Sequence, residues 1–285
     1  LNFKRVLKIN YFKNNNKKRI FYNFVSLGFL RFFQEFLPLI VIPYLVKTIG
    51  LEKYGLIGYA LSLATYFGSM VEYGFNVTAT RDVSRNRDSN KNLSEIFSKF
   101  FFTSLFLGIL VFITFSLIIL VFPQFNQFLL LYFTTILFVV FKSLIPLWFF
   151  HGIEKIIYST VIGGSMNLII LISILNLINN QDDFYLFPLL NLLGAFMAFL
   201  ASIIIIRFHF KIKIKIINWS TIKETLVDGR HVFLKQIFTN LYNSVGNVII
   251  LGLAYPANPS VTGMYILASK VVGTGVTLAN LLSNS

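Results

Sequence analysis

The sequence contains no cysteine and little charge, and both shortages exclude classes of protein. Without cysteine, the chain has no disulfide framework, no cysteine zinc cluster and no thiol nucleophile. Charged residues make up 13% of its 285 residues, roughly half the share that a soluble domain carries. The HExxH, GxSxG, P-loop and GxGxxG signatures of several enzyme classes are also missing. These absences argue against a soluble enzyme.

Apolar residues are abundant instead, at 56% of the chain. A soluble globule of this size would leave large apolar patches exposed to water, whereas a lipid bilayer solvates them. About 20 apolar residues of helix cross a bilayer core. Candidate segments of that length are 24–46, 55–76, 100–122, 128–149, 157–178, 184–206, 233–254 and 261–281. The sequence therefore predicts an all-α, polytopic membrane helical bundle.

Lysine and arginine are concentrated in alternate connections between these predicted spans. Residues 1–20 contain seven basic residues and no acid, 81–99 contain five basic residues, and 207–235 again contain seven. The connections 123–127 and 179–183 contain none. The positive-inside rule places the even-numbered connections on the cytoplasmic side. We therefore expect a multi-pass protein with a cytoplasmic amino terminus.

The net charge of +14 follows from these basic segments, so we expect contacts with membrane lipids and none with nucleic acid. Basic residues near an anionic lipid surface contribute about 1 kcal/mol each to binding. The alternating segment Lys211–Ile216 fits an interfacial stretch better than a folded strand. Thr221 and Glu224 match a capping box that begins a short amphipathic helix. Pro38 and Pro43 are expected to interrupt the first span, and Pro146 and Pro188 the fourth and sixth.

A weak internal repeat indicates how the spans are arranged. Tyr54–Ala60 resembles Thr262–Ala268, with Gly55 and Gly263 at matching positions, at an offset of six spans. Parallel six-span halves are a common transporter plan. On that plan the chain, which begins at Leu1, is a fragment or a truncated reading frame, and we expect the isolated piece to be inactive. The predicted parts are a basic cytoplasmic amino terminus (1–23), a complete six-helix amino-terminal lobe (24–206), a basic cytoplasmic linker (207–232) and the first two helices of a second lobe (233–285).

Charged and amide side chains lie within the predicted spans, where they usually face the bundle interior or a water-filled path. They are Arg31, Gln34 and Glu35 in span one, Glu72 in span two, Lys142 in span four, Gln236, Asn240, Asn243 and Asn247 in span seven, and Lys270 in span eight. Each also has a structural explanation. Arg31 and Lys142 can extend to the interface, or Arg31 can pair with Glu35. The amide stripe of span seven can hydrogen-bond neighbouring helices.

Several segments resemble the O-antigen flippases, which form part of the polysaccharide transporter branch of the multidrug, oligosaccharidyl-lipid and polysaccharide exporter superfamily. The resemblance covers nearly the whole chain in the right order, and its most specific block is 34–100. The departures are His151, Ser269 and Gly273, which stand where the family commonly has glutamine, an acid and a basic residue. The segments that carry it are Leu37–Gly50, Tyr54–Ile57, Glu72–Arg81, Trp148–Lys155, Asn247–Gly252 and Met264–Lys270.

The resemblance implies a bacterial inner-membrane flippase whose cargo is an undecaprenyl-diphosphate-linked O-antigen repeat unit. It implies two six-helix lobes around a cavity that opens alternately to each side. The cavity candidates would contact the diphosphate and sugars, and they are Arg31, Gln34, Lys142, Asn240, Asn243, Asn247 and Lys270. Glu35 and Glu72 are the candidates for coupling to a proton or sodium gradient. No other cofactor or metal is expected, and other polysaccharide assembly proteins are expected partners.

Two alternatives stay open on the sequence. A drug or cation antiporter of the same superfamily would share the fold and the intramembrane charges. An integral-membrane glycosyltransferase or O-antigen polymerase should instead show acidic catalytic residues or a substantial outward loop, and the predicted outward connections are only a few residues long. Transport without covalent chemistry is therefore the preferred hypothesis.

Overall fold

The structure is a computed structural model that describes residues 40–242 and 244–283. Within these ranges the backbone is mostly helical and contains no strand. Segments long and apolar enough to cross a membrane are Asn90–Val121, Pro123–Gly152, Ile156–Leu177 and Gln181–His209. The predicted all-α membrane bundle is therefore confirmed. Its division into a six-span lobe and the start of a second lobe stays a prediction.

The helices are numbered here in chain order. Residues 40–72 are helical but are divided by a left-handed residue, Gly50, at φ 82°, and the first numbered helix, α1, is the part that follows it, 51–72. The others are α2 (Phe75–Arg85), α3 (Asn90–Val121), α4 (Leu129–Leu144), α5 (Leu147–Gly152), α6 (Ile156–Leu177), α7 (Leu186–Ile204), α8 (Trp219–Tyr242), α9 (Ser244–Ala254) and α10 (Pro259–Ser283). Short 3-10 helices, Pro123–Phe128 and Gln181–Tyr185, precede α4 and α7, and a π-helical turn, Ile205–His209, follows α7.

The outer surface of the bundle is apolar, as a lipid-facing surface must be. Leu117 on α3, Ile169 on α6 and Met197 on α7 are 57%, 64% and 64% exposed. Water would disfavour so many exposed aliphatic side chains, whereas lipid tails solvate them at no cost. The four membrane-length segments coincide with the predicted spans three to six. Most of the first predicted span lies outside the described residues.

Of the prolines expected to interrupt spans, Pro38 lies outside the described residues, Pro43 lies within continuous helix, and only Pro146 of the other two interrupts its span. Ile145 adopts an extended conformation before Pro146, and the helix stops at Leu144 before α5 begins. A residue before proline is disfavoured in the helical region, which explains the stop. Pro188 instead lies in the first turn of α7, so the prediction for span six was wrong. Proline is tolerated there because first-turn amides have no intrahelical acceptor to lose.

The connection to α8 differs from the capping-box prediction. The helix begins at Trp219, two residues before Thr221, and the Ser220 hydroxyl donates to the Glu224 carboxylate at 3.0 Å. The predicted capping box was therefore wrong, because the Glu224 side chain accepts a hydrogen bond from Ser220, which precedes Thr221 in the helix. The same helix continues to Tyr242 and runs through the predicted boundary between linker and second lobe at 232/233.

The lysine-rich segment before α8 is extended along α3, without a sheet partner. The backbone amides of Lys213 and Lys215 donate to the hydroxyls of Ser94 and Ser98, at 3.0 and 2.9 Å. Ile212 is fully buried, while the lysines between the isoleucines are exposed. The isoleucine face is therefore packed on the bundle only as far as Ile214, because Ile216 is 93% exposed, at a position consistent with an interfacial segment.

The two glycines of the internal repeat meet each other where α1 crosses α10. A Cβ atom built on Gly55 would lie 2.0 Å from the carbonyl oxygen of Pro259, and one on Gly263 would lie 3.3 Å from the Cα of Gly55. Only residues without a side chain allow helix backbones to approach so closely. We refer to this contact as the Gly55–Gly263 crossing. It joins the repeat-related positions of the two predicted halves directly.

Gly55→Ala should destabilise this crossing, because the new methyl group would force the two backbones apart. We expect a loss of about 1–3 kcal/mol in the free energy of unfolding, the usual range for overpacking. Gly275→Ala is the control, since a Cβ atom at that α10 position meets nothing within 4 Å. Thermal unfolding in detergent measures both variants. Equal midpoints for the two would contradict the close approach.

Candidate functional site

A left-handed turn between α1 and α2 creates the first side of the candidate site. Tyr73 and Gly74 have φ values of 45° and 72°, so α1 ends at Glu72 and a new helix begins at Phe75. Glycine adopts this conformation readily, whereas a tyrosine does so only when its surroundings hold it. The turn allows Glu72 and Asn76 to line one cavity although they lie on different helices.

The strained Tyr73 is held by α8. Its hydroxyl donates to the carbonyl of Leu226 at 2.9 Å, and its ring stacks on Phe233 with centroids 4.2 Å apart. Gly74 lies so close to α8 that an added Cβ atom would be 2.5 Å from Val232. The end of α1 is therefore fixed against α8, which brings Gln236, one turn beyond Phe233, within reach of Glu72.

Lys142 forms the opposite side of the site. It lies in the last turn of α4, which ends because Ile145 precedes Pro146. A cation is favoured at this position, since the carbonyl end of a helix carries partial negative charge. The Lys142 ammonium lies 5.7 Å from the centroid of the Phe138 ring. Its side chain is accessible, as expected for a residue that lines a cleft.

Glu72 and Lys142 both line a small cavity of about 30 Å³, together with the polar residues Asn76, Ser104 and Ser143. This volume is sufficient for a water molecule, which needs a cavity of roughly 10–15 Å³ and at least two polar partners. The wall also contains Phe75 and Trp148, so the polar groups are concentrated within an apolar frame. We call this site the Glu72–Lys142 cleft.

The two charges of the cleft compensate each other. Glu72 and Lys142 are close enough to interact electrostatically, and the Gln236 side-chain amide donates to the Glu72 carboxylate at 3.0 Å. A charge removed from water is tolerated in a low-dielectric site when it is paired and hydrogen-bonded. The arrangement can therefore hold an anion and a cation inside the bundle.

The sequence-predicted site residues divide into three groups. Glu72 and Lys142, which the sequence analysis had assigned to separate roles, both line the cleft. Asn247, on α9, donates instead to the hydroxyl of Tyr265 at 2.8 Å. Asn240 on α8 and Lys270 on α10 are half-buried, and neither lines the cleft. The predictions that lie outside the described residues are Arg31, Gln34, Glu35 and Asn243.

Sequence reasoning undervalued Gln236, Asn76 and Ser143. Gln236 belongs to the amide stripe of span seven, but nothing in the sequence indicated that Glu72 would be its partner. The presence of a glutamine in one predicted span and a glutamate in another is a weak signal, because the sequence does not give the distance between the two side chains. Among the described residues, no cluster of three or more histidines, aspartates or glutamates could hold a metal ion.

Gln236→Leu should destabilise the protein by about 1–3 kcal/mol, because the Glu72 carboxylate loses a hydrogen-bond donor that water cannot fully replace. Lys235→Leu, at the exposed neighbouring position on α8, is the control. Thermal unfolding in detergent, combined with Glu72→Leu in a double-mutant cycle, isolates the energy of the pair. Additive effects of the two substitutions would show that the hydrogen bond contributes nothing.

Comparison with known proteins places this arrangement in a family. A protein of Escherichia coli (strain K12) named "Putative O-antigen transporter" is 27% identical over 258 residues. That alignment covers 90% of this chain and 61% of the relative, so the chain spans about three-fifths of the relative's length. No solved structure matches the chain. The family profile described as "Polysaccharide biosynthesis protein" matches residues 20–284. With this match over nearly its entire length, the chain belongs to the polysaccharide biosynthesis protein family, as a multi-pass membrane protein.

Proposed function

We propose that the protein is a flippase that moves undecaprenyl-diphosphate-linked O-antigen repeat units across the bacterial inner membrane by alternating access. The observation that carries this proposal is the Glu72–Lys142 cleft, an ionic site inside an apolar helical bundle of the polysaccharide biosynthesis family. The similarity to a protein named as an O-antigen transporter supports the cargo class. The amino terminus would face the cytoplasm, and other polysaccharide assembly proteins would be partners.

The charge of the cargo explains why an ionic cleft is useful. A diphosphate that crossed hydrocarbon unaided would lose its hydration at a very large energetic cost. Lys142 offers a cation at membrane depth, and the phosphate oxygens would compete with Glu72 for it. We propose that Lys270 and Arg31 add further positive charge along the path. Gln34, Asn240, Asn243 and Asn247 would hydrogen-bond sugar hydroxyls, while the polyprenyl tail stays in lipid.

Contacts at both ends of α1 are consistent with a two-sided mechanism. At one end, Tyr73 and Glu72 contact α8 through Phe233 and Gln236. At the other end, α1 and α10 meet at the Gly55–Gly263 crossing. In alternating access one such contact opens while the other stays closed, so that the cavity never connects the two sides. We propose that these two contacts are the cytoplasmic and outward closures.

Glu72 is suited to couple transport to an ion gradient. Binding of a proton or a sodium ion to its carboxylate would neutralise the counter-charge of Lys142 and leave the ammonium available for the diphosphate. Release of the ion would restore the Glu72–Lys142 interaction and expel the phosphate. Glu35 is the second candidate for this role. The exchange needs no covalent step.

Lys142→Ala should reduce transport of the lipid-linked cargo by about tenfold or more, because a charged hydrogen bond contributes about 1.5–3 kcal/mol. The full-length gene product is reconstituted in vesicles with a fluorescent undecaprenyl-diphosphate oligosaccharide, and movement between leaflets is followed. Lys270→Ala is measured in parallel. Lys213→Ala is the matched control, because this lysine is exposed on the extended segment.

Four outcomes of that assay are informative. Loss of transport in Lys142→Ala alone identifies the cleft as the diphosphate site, and loss in Lys270→Ala extends the cationic path to α10. Unchanged transport in both variants contradicts the cationic cavity. Efflux of a lipophilic cation without lipid movement favours the drug-antiporter alternative.

Glu72→Gln should separate transport from its driving gradient. The amide keeps the shape of the carboxyl group but cannot take up a proton or bind sodium as an anion. We expect the rate with wild type to rise when a proton or sodium gradient is imposed on the vesicles, and the rate with Glu72→Gln to stay the same. A variant that still responds to the gradient would exclude Glu72 as the coupling residue.

A further inference from the structure

A second pocket, of about 250 Å³, lies at the other end of α1 from the Glu72–Lys142 cleft. Glu52, which lines it, is twenty residues before Glu72, a separation of about 30 Å along a helix. The start of α1 after Gly50, the 3-10 helix Pro123–Phe128 and the connection between α9 and α10 form its walls. We propose that this pocket is a saccharide subsite that holds one sugar unit of the cargo on the outward side. The inference rests on the proposed function for its choice of cargo.

The lining combines aromatic rings with neutral hydrogen-bonding groups. Tyr59, Phe128 and Tyr132 supply ring surface, and Gln124 and Gln127 supply side-chain amides. A pyranose ring has apolar C–H faces that pack on aromatic rings, and a rim of hydroxyl groups that both donate and accept. A glutamine amide also does both, with its carbonyl oxygen and its NH₂ group. This complementarity favours a neutral sugar.

The charges of the pocket disfavour the other ligands of a flippase or an antiporter. Lys53 stands beside Glu52 in the sequence, so the lining has no net charge to attract a diphosphate. The Lys53 ammonium also lies 5.1 Å from the Phe128 ring centroid and 4.8 Å from that of Phe184. Because a cation already faces these rings, a lipophilic cation would be repelled from them.

Thr262 provides an independent sign of a ligand. The residue lines the pocket and is 1% exposed, and its hydroxyl is buried and has no hydrogen-bond partner. Other buried threonines, such as Thr134 and Thr135, donate to the carbonyl four residues earlier in their helix. An unpaired buried hydroxyl costs about 1–3 kcal/mol. A sugar hydroxyl in the pocket would remove this cost, which gives the pocket a preference for a hydroxylated ligand.

The pocket also lies where cargo would leave the protein. Pro259 and Thr262 line it, and the Pro259 carbonyl and the Gly263 amide are the atoms that face Gly55 at the crossing. Opening of the Gly55–Gly263 crossing would therefore widen this pocket directly. A sugar bound there would be the part of the cargo that reaches the outward side first, while the diphosphate remains at the cationic end of the path.

Binding can be tested separately from transport. Tyr255, which lines the pocket and is 52% exposed, is replaced by tryptophan in the full-length gene product to report occupancy by its fluorescence. The probes are the free repeat-unit oligosaccharide released by mild acid from the cells' own lipid-linked polysaccharide, inorganic pyrophosphate and tetraphenylphosphonium. We expect a saturable change with the oligosaccharide alone. Phe128→Trp is a second reporter in case Tyr255→Trp does not fold.

Gln127→Leu should weaken oligosaccharide binding by about fivefold, the effect of one lost neutral hydrogen bond. Asn126→Leu is the matched control, because it removes an exposed amide from the same 3-10 helix without altering the lining. Thr262→Val, which keeps the shape and removes the hydroxyl, should weaken binding similarly. A response to pyrophosphate or tetraphenylphosphonium instead, or to none of the probes, would overturn the saccharide subsite. Failure of lipid transport in vesicles, with oligosaccharide binding intact, would instead refute only the proposed function.

Discussion

The cleft that Glu72 and Lys142 share is the feature on which the polar interior of this membrane bundle depends. The Glu72 carboxylate accepts a hydrogen bond from Gln236 and shares its cleft with the Lys142 ammonium, and such partners make a charge inside a membrane bundle tolerable. Two local backbone features place these residues at the cleft. The left-handed turn at Tyr73 ends α1 at Glu72, and the extended Ile145 ends α4 just after Lys142.

The polar features are distributed along α1 in an order that suits the proposed cargo, which is amphipathic and lipid-linked. The ionic cleft lies at one end of the helix, and the neutral pocket of rings and amides lies at the other. Between them the helix packs through small residues, among which Ala60 and Ala64 are fully buried. A diphosphate and a sugar differ in charge, so a path for both needs two kinds of lining. The same helix also takes part in both proposed closures. A ligand bound at either end of α1 would therefore affect the position of the helix.

Hydropathy and proline chemistry predicted most of the fold, and the errors have local causes. Spans three to six were placed correctly because each is a long apolar run with polar ends. Pro146 was predicted to interrupt its span and does so, whereas Pro188 falls in a first turn where it does no damage. The helix start at Trp219 was missed because Ser220, and not Thr221, takes the Glu224 side chain. Which of two adjacent residues caps or begins a helix depends on the local backbone geometry, and a sequence pattern does not contain that geometry.

The sequence by itself determined that the chain is a membrane helical bundle, which residues are charged within it, and which family it resembles. These properties follow from the amino-acid composition and the order of residues, because a bilayer requires each span to be a helix of about 20 mainly apolar residues. Only the tertiary structure decided that Glu72 shares a cleft with Lys142 and accepts a hydrogen bond from Gln236. It also decided that Asn247 donates to Tyr265 and that Gly55 contacts α10 near Gly263. Helical periodicity fixes the face on which a residue lies, but the partner depends on how helices distant in sequence pack together. That packing arises from many weak contacts at once, and no single motif encodes it.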